Sequence, residues 1–508
     1  MRCANTLLLS TLLGATAVQA QGLEYLLPAG ESRIIFSTHS HTMKDGSKPA
    51  GLFDGLVWIP KAGYNENRGY LFMNHEQAIG DTPQGSVSRL TYEQGRITEA
   101  ETWVTGLSRP CSSHDSPWGT VLVAEEDDSA ENGEYGHIVE LDPMDKNNTR
   151  RRYAMGRAGW ENVVAHPLTM EFFLTDDSRP SSNKGAIFRF VPDRQGDLSS
   201  GRLFAFRAEG GSLAERSTGT WIEIDDPNLA QQQAFEKGAT LYDRPEDLAY
   251  NPVDGWLYIA VTGDSRAADA ANKAGGIYRF DPVASVMERW LVADGNPINS
   301  ADNIEIDPKG NVWIAEDGGG PNELVLVRPD KTTQVVMRGT ENNGEVTGIL
   351  WRPDGKGLFV EWQHGLDPNG VIAGGEEYDE LYEVTLPAEF QAIKPWIYAV
   401  DSPTAVSAIE TAVLPQSLGL GQNFPNPFNP DTAIRFELPA AAQVELAVFS
   451  SNGQKVATLV SQQPMQAGTY QANWDGRDDR GQQVSSGAYL YRLQVGNQAE
   501  TRQMVLLK

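Results

Sequence analysis

Cysteine and histidine are scarce in this chain, with two of the first and seven of the second in 508 residues. Cys3 lies in the leading segment MRCANTLLLSTLLGATAVQAQG, which has Arg2, an apolar run from Leu7 to Leu13, and small residues at Val18 and Ala20. That is the layout of a secretory signal peptide, residues 1–20, cut after Ala20. Its removal leaves Cys111 alone, which excludes a disulfide framework within one chain. The few histidines include no H-E-x-x-H pair, and zinc hydrolases usually draw on two or three imidazoles. The motifs G-x-S-x-G, the P-loop and C-x-x-C are also missing, so serine-hydrolase, phosphate-loop and dithiol chemistry lack sequence support. No later apolar run is long enough to span a membrane. Positive charge is short as well. Lys and Arg number 41 against 68 Asp and Glu, and the net charge of -27 disfavours nucleic acid and anionic lipid as partners.

What the chain does have is a repeat. Six short apolar stretches end in proline: DGLVWIP, CSSHDSPW, ENVVAHPL, EDLAYNPV, DNIEIDPK and TGILWRPD. Six residues before each proline stand Asp54, Cys111, Glu161, Glu246, Asp302 and Thr347. A turn follows each, then a second apolar run with a polar tip, as in YLFMNHE, TVLVAEE, EFFLTDD and NVWIAED. Strand repeats of this length predict a six-bladed β-propeller over 22–400, one unit per blade. A polar insertion, roughly 194–242, fills the longest gap between units.

Residues 401–420, small and polar, read as a linker. Beyond it, at 421–508, short alternating runs are separated by Asn-Gly, Asp-Gly and Ser-Gly turns. These predict a small C-terminal immunoglobulin-like β-sandwich, which makes the fold class all-β throughout.

A propeller places equivalent positions of every blade at equal radius around one axis. The six aligned positions then form a ring of acids with one cysteine and one threonine. A thiolate among carboxylates is disfavoured by like charge unless cations are present, so Cys111 is either a neutral filler or a metal ligand. Oxygen-rich sites with little imidazole suit hard cations, Ca²⁺ above all and Fe³⁺ among transition ions. His75, His114 and His364 lie at strand tips or loops, within reach of a substrate.

The segment Cys-x₅-Pro-Trp-Gly-Thr followed by Glu-Glu resembles the signature of the PhoX-type alkaline phosphatases. Asn74-His75-Glu76, Gly156-Arg157 with Glu161, and Thr175-Asp176-Asp177 extend the resemblance. So do Arg244-Pro245-Glu246, Asp302-Asn303, Glu316-Asp317-Gly318, Glu345-x-Thr347-Gly348 and Gln363-His364-Gly365, over roughly 50–390. Ser112, Ser113 and His114 stand where that family commonly has small residues including glycines. The resemblance implies an extracytoplasmic phosphatase acting on a phosphorylated small molecule, with Fe³⁺ and Ca²⁺ on the axis of a six-bladed propeller. It implies Cys111, Glu126 and Glu161 as iron ligands. Glu246 and some of Glu76, Asp176, Asp302 and Glu316 would hold calcium or bridge the metals. Arg244 would contact phosphate, with Glu246 beside it in the catalytic set and His364 toward the substrate.

The tail is similar to the C-terminal sorting domains of secreted and surface proteins, which share a fold with flagellar hook-capping proteins. The residues that carry this are Asn423-Phe424-Pro425-Asn426-Pro427-Phe428-Asn429-Pro430, Trp474-Asp475-Gly476-Arg477-Asp478 and Gly487-Ala488-Tyr489. It implies a secreted or cell-surface protein that meets the secretion machinery or the cell surface through its tail. Two other readings fit the ring. One is a calcium-dependent lactonase-type propeller using Asn162, Asn303 and Asp264, which has no use for a thiolate. The other is a non-catalytic calcium-binding surface propeller.

Overall fold

The computed structural model describes residues 23–507 apart from short stretches, the longest being 62–67, 128–132, 264–274, 293–297, 366–377, 392–405 and 410–417. The signal segment 1–20 and Asp264 lie outside the described residues. Six antiparallel units follow one another, each beginning with an inner strand that carries the alternating apolar residues noted above. The inner strands are Phe53–Pro60, Pro110–Asp115, Trp160–Ala165, Pro245–Tyr250, Ala301–Ile306 and Glu345–Trp351. Each touches the inner strand of the next unit, and the sixth returns to the first. The N-terminal strand Glu31–Ser37 pairs with Tyr378–Thr385 in the sixth unit, so both ends of the propeller are tied into one sheet. The expected insertion supplies the strand Arg216–Ile224, which pairs with neighbours in the third and fourth units and fuses their outer edges.

The apolar core is divided among the seams. Val57, Ile59 and Phe72 of the first unit pack on Val121, Val123 and Val139 of the second. Similar clusters fill each later seam, the last joining Phe359 and Leu381 to Phe53 and Leu71. Each large side chain buried there stabilises the closed ring by about 1.5–3 kcal/mol, and none of that burial needs the axis. The axis is therefore free to be polar.

Every inner strand is irregular at the ring residue. The register with the second strand slips between Asp54 and Leu56, Pro110 and Ser113, Trp160 and Val163, Pro245 and Leu248, Ala301 and Ile304, and Val346 and Ile349. A β-bulge of this kind breaks the strict alternation of side chains and re-aims residues. Here it lets two consecutive residues of each unit address the axis. At Gly55 (φ +60°) a Cβ would lie 2.4 Å from the Cys111 carbonyl oxygen, so only glycine permits this approach of the first and second inner strands.

The tail folds as two four-stranded sheets around its own core, which includes Trp474, Phe436, Tyr491 and Phe428. The expected linker is shorter than 401–420. Val406–Ile409 pairs with the strand Gly468–Trp474, and Gly419–Leu420 pairs with Thr432–Leu438. The first is specified by a partner sixty or more residues away, which local composition does not reveal. Among the described residues no helix is long and apolar enough to cross a membrane.

Candidate metal centre

Three positions per unit surround the axis on one face. The bulge presents Asp54, Cys111, Glu161, Glu246, Asp302 and Thr347. Across from it, one residue past the second-strand partner of the residue that precedes the bulge residue, come Glu76, Glu126, Asp177, Thr262, Asp317 and Gln363. Two residues before the bulge residue stand Leu52, Arg109, Gly159, Arg244, Ser300 and Glu345. The carbonyls of the first five accept the N–H of Glu76, Glu126, Asp177, Thr262 and Asp317 at 2.9–3.1 Å.

Ligand-type atoms gather into three groups, each within 4.8 Å: Asp54, Glu76 and Cys111; Glu161, Glu246 and Asp302; Asp302, Asp317 and Glu345. Asp302 belongs to two of them, so these two groups are continuous. Glu126 adjoins the first, its Oε2 lying 3.6 Å from the Cys111 thiol. Ser112 donates to Glu161 at 3.3 Å and Thr262 to Glu246 at 2.7 Å. Arg244 reaches Asp177 through Nε (3.0 Å) and Nη2 (3.3 Å), and its Nη2 lies 2.8 Å from Glu246. Its Nη1 has Asp317 4.0 Å away.

The electrostatics are those of a cation site. Burial, then neighbouring carboxylates, pushes Asp54, Glu161 and Asp302 well above the carboxylate range. Burial does the same to Glu246, against the pull of Arg244. Glu76 is pushed up to about 8 by burial and by Glu126 and Glu345. The Cys111 thiol is pushed up by burial and Glu161. Glu246 above all holds Arg244 charged. Two carboxylates 4.8 Å apart repel by about 3 kcal/mol at an effective dielectric near 20. Arg109 and Arg244 cannot neutralise Asp54, Glu76, Glu126, Glu161, Asp177, Glu246, Asp302, Asp317 and Glu345 together. Among the described residues the buried Asp54 Oδ1 also has no hydrogen-bond partner. Carboxylates without imidazole, one thiol and an orphaned oxygen fit hard cations, with a place for a thiolate-tolerant ion at Cys111.

Not every expected residue joins this assembly. Asp176 turns into its blade, accepting from the Gly185 N–H (2.9 Å), Ser178 (3.0 Å) and Gln231 (2.8 Å). Glu316 likewise is buried and accepts the Glu323 N–H at 3.2 Å. The residues that face the axis are the next ones, Asp177 and Asp317. Glu125 and Glu126 follow the same rule: Glu125 is paired with Arg151 at 2.8 Å inside the blade, while Glu126 meets Cys111. Side chains alternate along a strand, so one residue of phase decides the face. Aligning the acid pairs on Glu125-Glu126 would have found Asp177 and Asp317.

Two further expectations change, and a third is left untested. Thr347 donates to the Phe53 carbonyl (2.8 Å), and Glu345, two residues earlier, supplies the sixth unit's ligand atom. His75 is fully buried between the Gly51 carbonyl (3.2 Å) and Ser88 (2.7 Å), and burial lowers it to about 4. It braces its strand and does not face a substrate. His364 lies in the strand Gly357–Gly365, and its side chain is outside the described residues.

One residue beyond the ring, Gly55, Ser112, Asn162, Asp247, Asn303 and Gly348 line an axial cavity of about 130 Å³, which His114 also lines. Asn162 there donates to Asp247, whose Oδ2 accepts the Ile304 N–H at 2.9 Å.

Fold and cluster define an all-β propeller whose axis gathers acids and a thiol from successive units. The alkaline phosphatase PhoX family profile matches residues 94–365, and the FlgD Ig-like domain profile matches 424–499. The chain belongs to the PhoX alkaline phosphatase family, whose members are phosphoric monoester hydrolases. No curated protein sequence matches the chain. Among solved structures, PhoX of Pseudomonas fluorescens in complex with vanadate, a transition state analogue, is 19% identical with a TM-score of 0.59, covering 72% of this chain and 96% of that one. A gluconolactonase of Xanthomonas campestris is 13% identical with a TM-score of 0.39, covering 73% of this chain and 99% of its own. The first likeness shows a shared fold, and the second is too weak to argue from.

Proposed function

We propose that this phosphatase hydrolyses small-molecule phosphate monoesters at a polynuclear calcium and iron centre on the propeller axis. The observation that carries the reading is the convergence of Cys111 with buried carboxylates of several units, in a chain of the PhoX family. Cys111, Glu126 and Glu161 would hold Fe³⁺. Asp54, Glu76, Glu246, Asp302, Asp317 and Glu345 would hold Ca²⁺ or bridge the ions. Bound there, the cations would neutralise phosphoryl oxygens and lower the pKa of a water molecule. Their charge also inverts the sign of a cavity that would otherwise repel phosphate.

The chain's own residues position the substrate. Asp177 fixes the Arg244 guanidinium through Nε and Nη2, and Glu246 takes Nη2, which leaves Nη1 as the donor for a phosphoryl oxygen. Thr262 in turn orients Glu246. The lactonase reading gains nothing from Asn162, which is committed to Asp247. Export by the leading segment, and surface attachment through the sandwich, complete the proposal.

Hydrolysis of a chromogenic aryl phosphate by protein loaded with Ca²⁺ and Fe³⁺ tests it. Cys111→Ser and Glu161→Gln should each abolish turnover in folded protein with reduced metal content. Unaltered turnover in both variants would put the active site elsewhere.

A further inference from the structure

Arginine occupies the same place in two units. Arg109 and Arg244 each stand two residues before the bulge residue, in left-handed backbone with φ of 45° and 57°. Leu52 (52°) and Ser300 (55°) share that conformation at the equivalent positions, so it belongs to the fold. What differs is the guanidinium that it lifts over the axial face.

Their commitments differ too. Arg244 is 21% exposed and engages Asp177 and Glu246, with Asp317 4.0 Å from its Nη1. The Arg109 side chain is 50% exposed, and its Nη1 lies 3.5 Å from Glu126. Among the described residues its Nε and Nη2 have no partner. Glu126 lies between the two cations, paired with Arg109 and within the field of Arg244. Glu76 and Cys111 also act on Arg109, which places it beside the cluster.

We infer that Arg109 is a second anion-binding residue, which selects phosphomonoesters whose leaving group carries another negative group, a carboxylate or a second phosphate. This rests on the phosphatase reading. With the phosphoryl group at Arg244, the leaving group exits toward the open face, where Arg109 presents its uncommitted donors. In a chain of net charge -27 a polyanionic substrate is repelled on approach, and an exposed guanidinium at the mouth offsets that locally. A neutral leaving group gains nothing there. If Arg109 served only to balance Glu126, its loss would affect every substrate alike.

The test is a ratio, measured on the metal-loaded full chain. kcat/KM is determined for phenyl phosphate, 4-carboxyphenyl phosphate and an alkyl bisphosphate, with wild type, Arg109→Ala and Arg109→Lys. Dividing by the phenyl phosphate value cancels any loss of metal or of folded fraction. The ratio for the anionic substrates should fall about tenfold in Arg109→Ala, the scale of one charge-assisted hydrogen bond, and recover in part in Arg109→Lys. A fall for both anionic substrates assigns a general anion site, and a fall for the bisphosphate alone assigns a phosphate site. Unchanged ratios overturn the inference while the phosphatase reading stands. No hydrolysis of any of the three by wild type overturns both.

Discussion

Removing the metals should make the propeller less stable as the pH rises, the reverse of the behaviour of carboxylates held in salt bridges. Glu76 illustrates the sign. Its folded pKa is raised from 4.5 to about 8, mainly by burial and by Glu126. A group with a raised folded pKa contributes stability that is present below its unfolded pKa and lost as the pH climbs through the folded one. Between about pH 4.5 and pH 8 the folded state binds more protons than the unfolded state, so stability falls across that window. The shift of about 3.5 units corresponds to about 5 kcal/mol at most. Glu76 is only partly buried, and solvent screening brings its share nearer to about 2 kcal/mol. Asp54, Glu161, Glu246 and Asp302 act in the same direction. The assay is thermal melting of chelator-stripped protein at pH 5 and pH 9, followed by near-ultraviolet circular dichroism, with and without excess Ca²⁺. Stripped protein should melt several degrees lower at pH 9, and Ca²⁺ should restore more at pH 9 than at pH 5, because cations replace the protons. A stripped protein that melts higher at pH 9 would refute the reasoning.

The strand-tip rule yields a paired test: Asp317→Asn should lower bound metal and Asp177→Asn should raise KM by loosening Arg244, whereas Asp176→Asn and Glu316→Gln should lower the melting temperature with metal content kept. Arg244→Lys keeps the charge and loses the fork, so KM for an aryl phosphate should rise with metal content unchanged. A chain ending near 405 should fold and retain turnover, since the edge strand Val406–Ile409 leaves with the sandwich to which it pairs; loss of folding would show that the propeller needs the tail.

The propeller was legible because its information is local and repeated. Each inner strand carries its own alternation, and the fixed six-residue distance from ring residue to proline aligns the bulges without knowledge of the sheet. The ring was legible for the same reason, since Cys111, Glu161, Glu246 and Asp302 all occupy bulge positions. Facing direction at the strand tips was not. Whether Asp176 or Asp177 faces the axis depends on register with a bulged partner, which no single segment encodes. Glu345 was hidden because Thr347 takes the aligned position and spends its hydroxyl on Phe53. Ser112 and Ser113, departures from the family pattern, have partners that only the fold brings close: Glu161, and Asn74 at 2.8 Å. The strands within 401–420 were missed because their pairing is long-range.

The most direct test of a metal-dependent phosphatase centre on the axis is hydrolysis of an aryl phosphate, followed in one preparation through metal analysis, chelation and reloading. The account predicts calcium and iron in the purified protein, a visible charge-transfer band from the Cys111 thiolate on Fe³⁺, and turnover that disappears with the metals and returns with them. Protein that takes up both metals and hydrolyses no phosphomonoester from neutral to alkaline pH, or that turns over equally well when stripped, would contradict it.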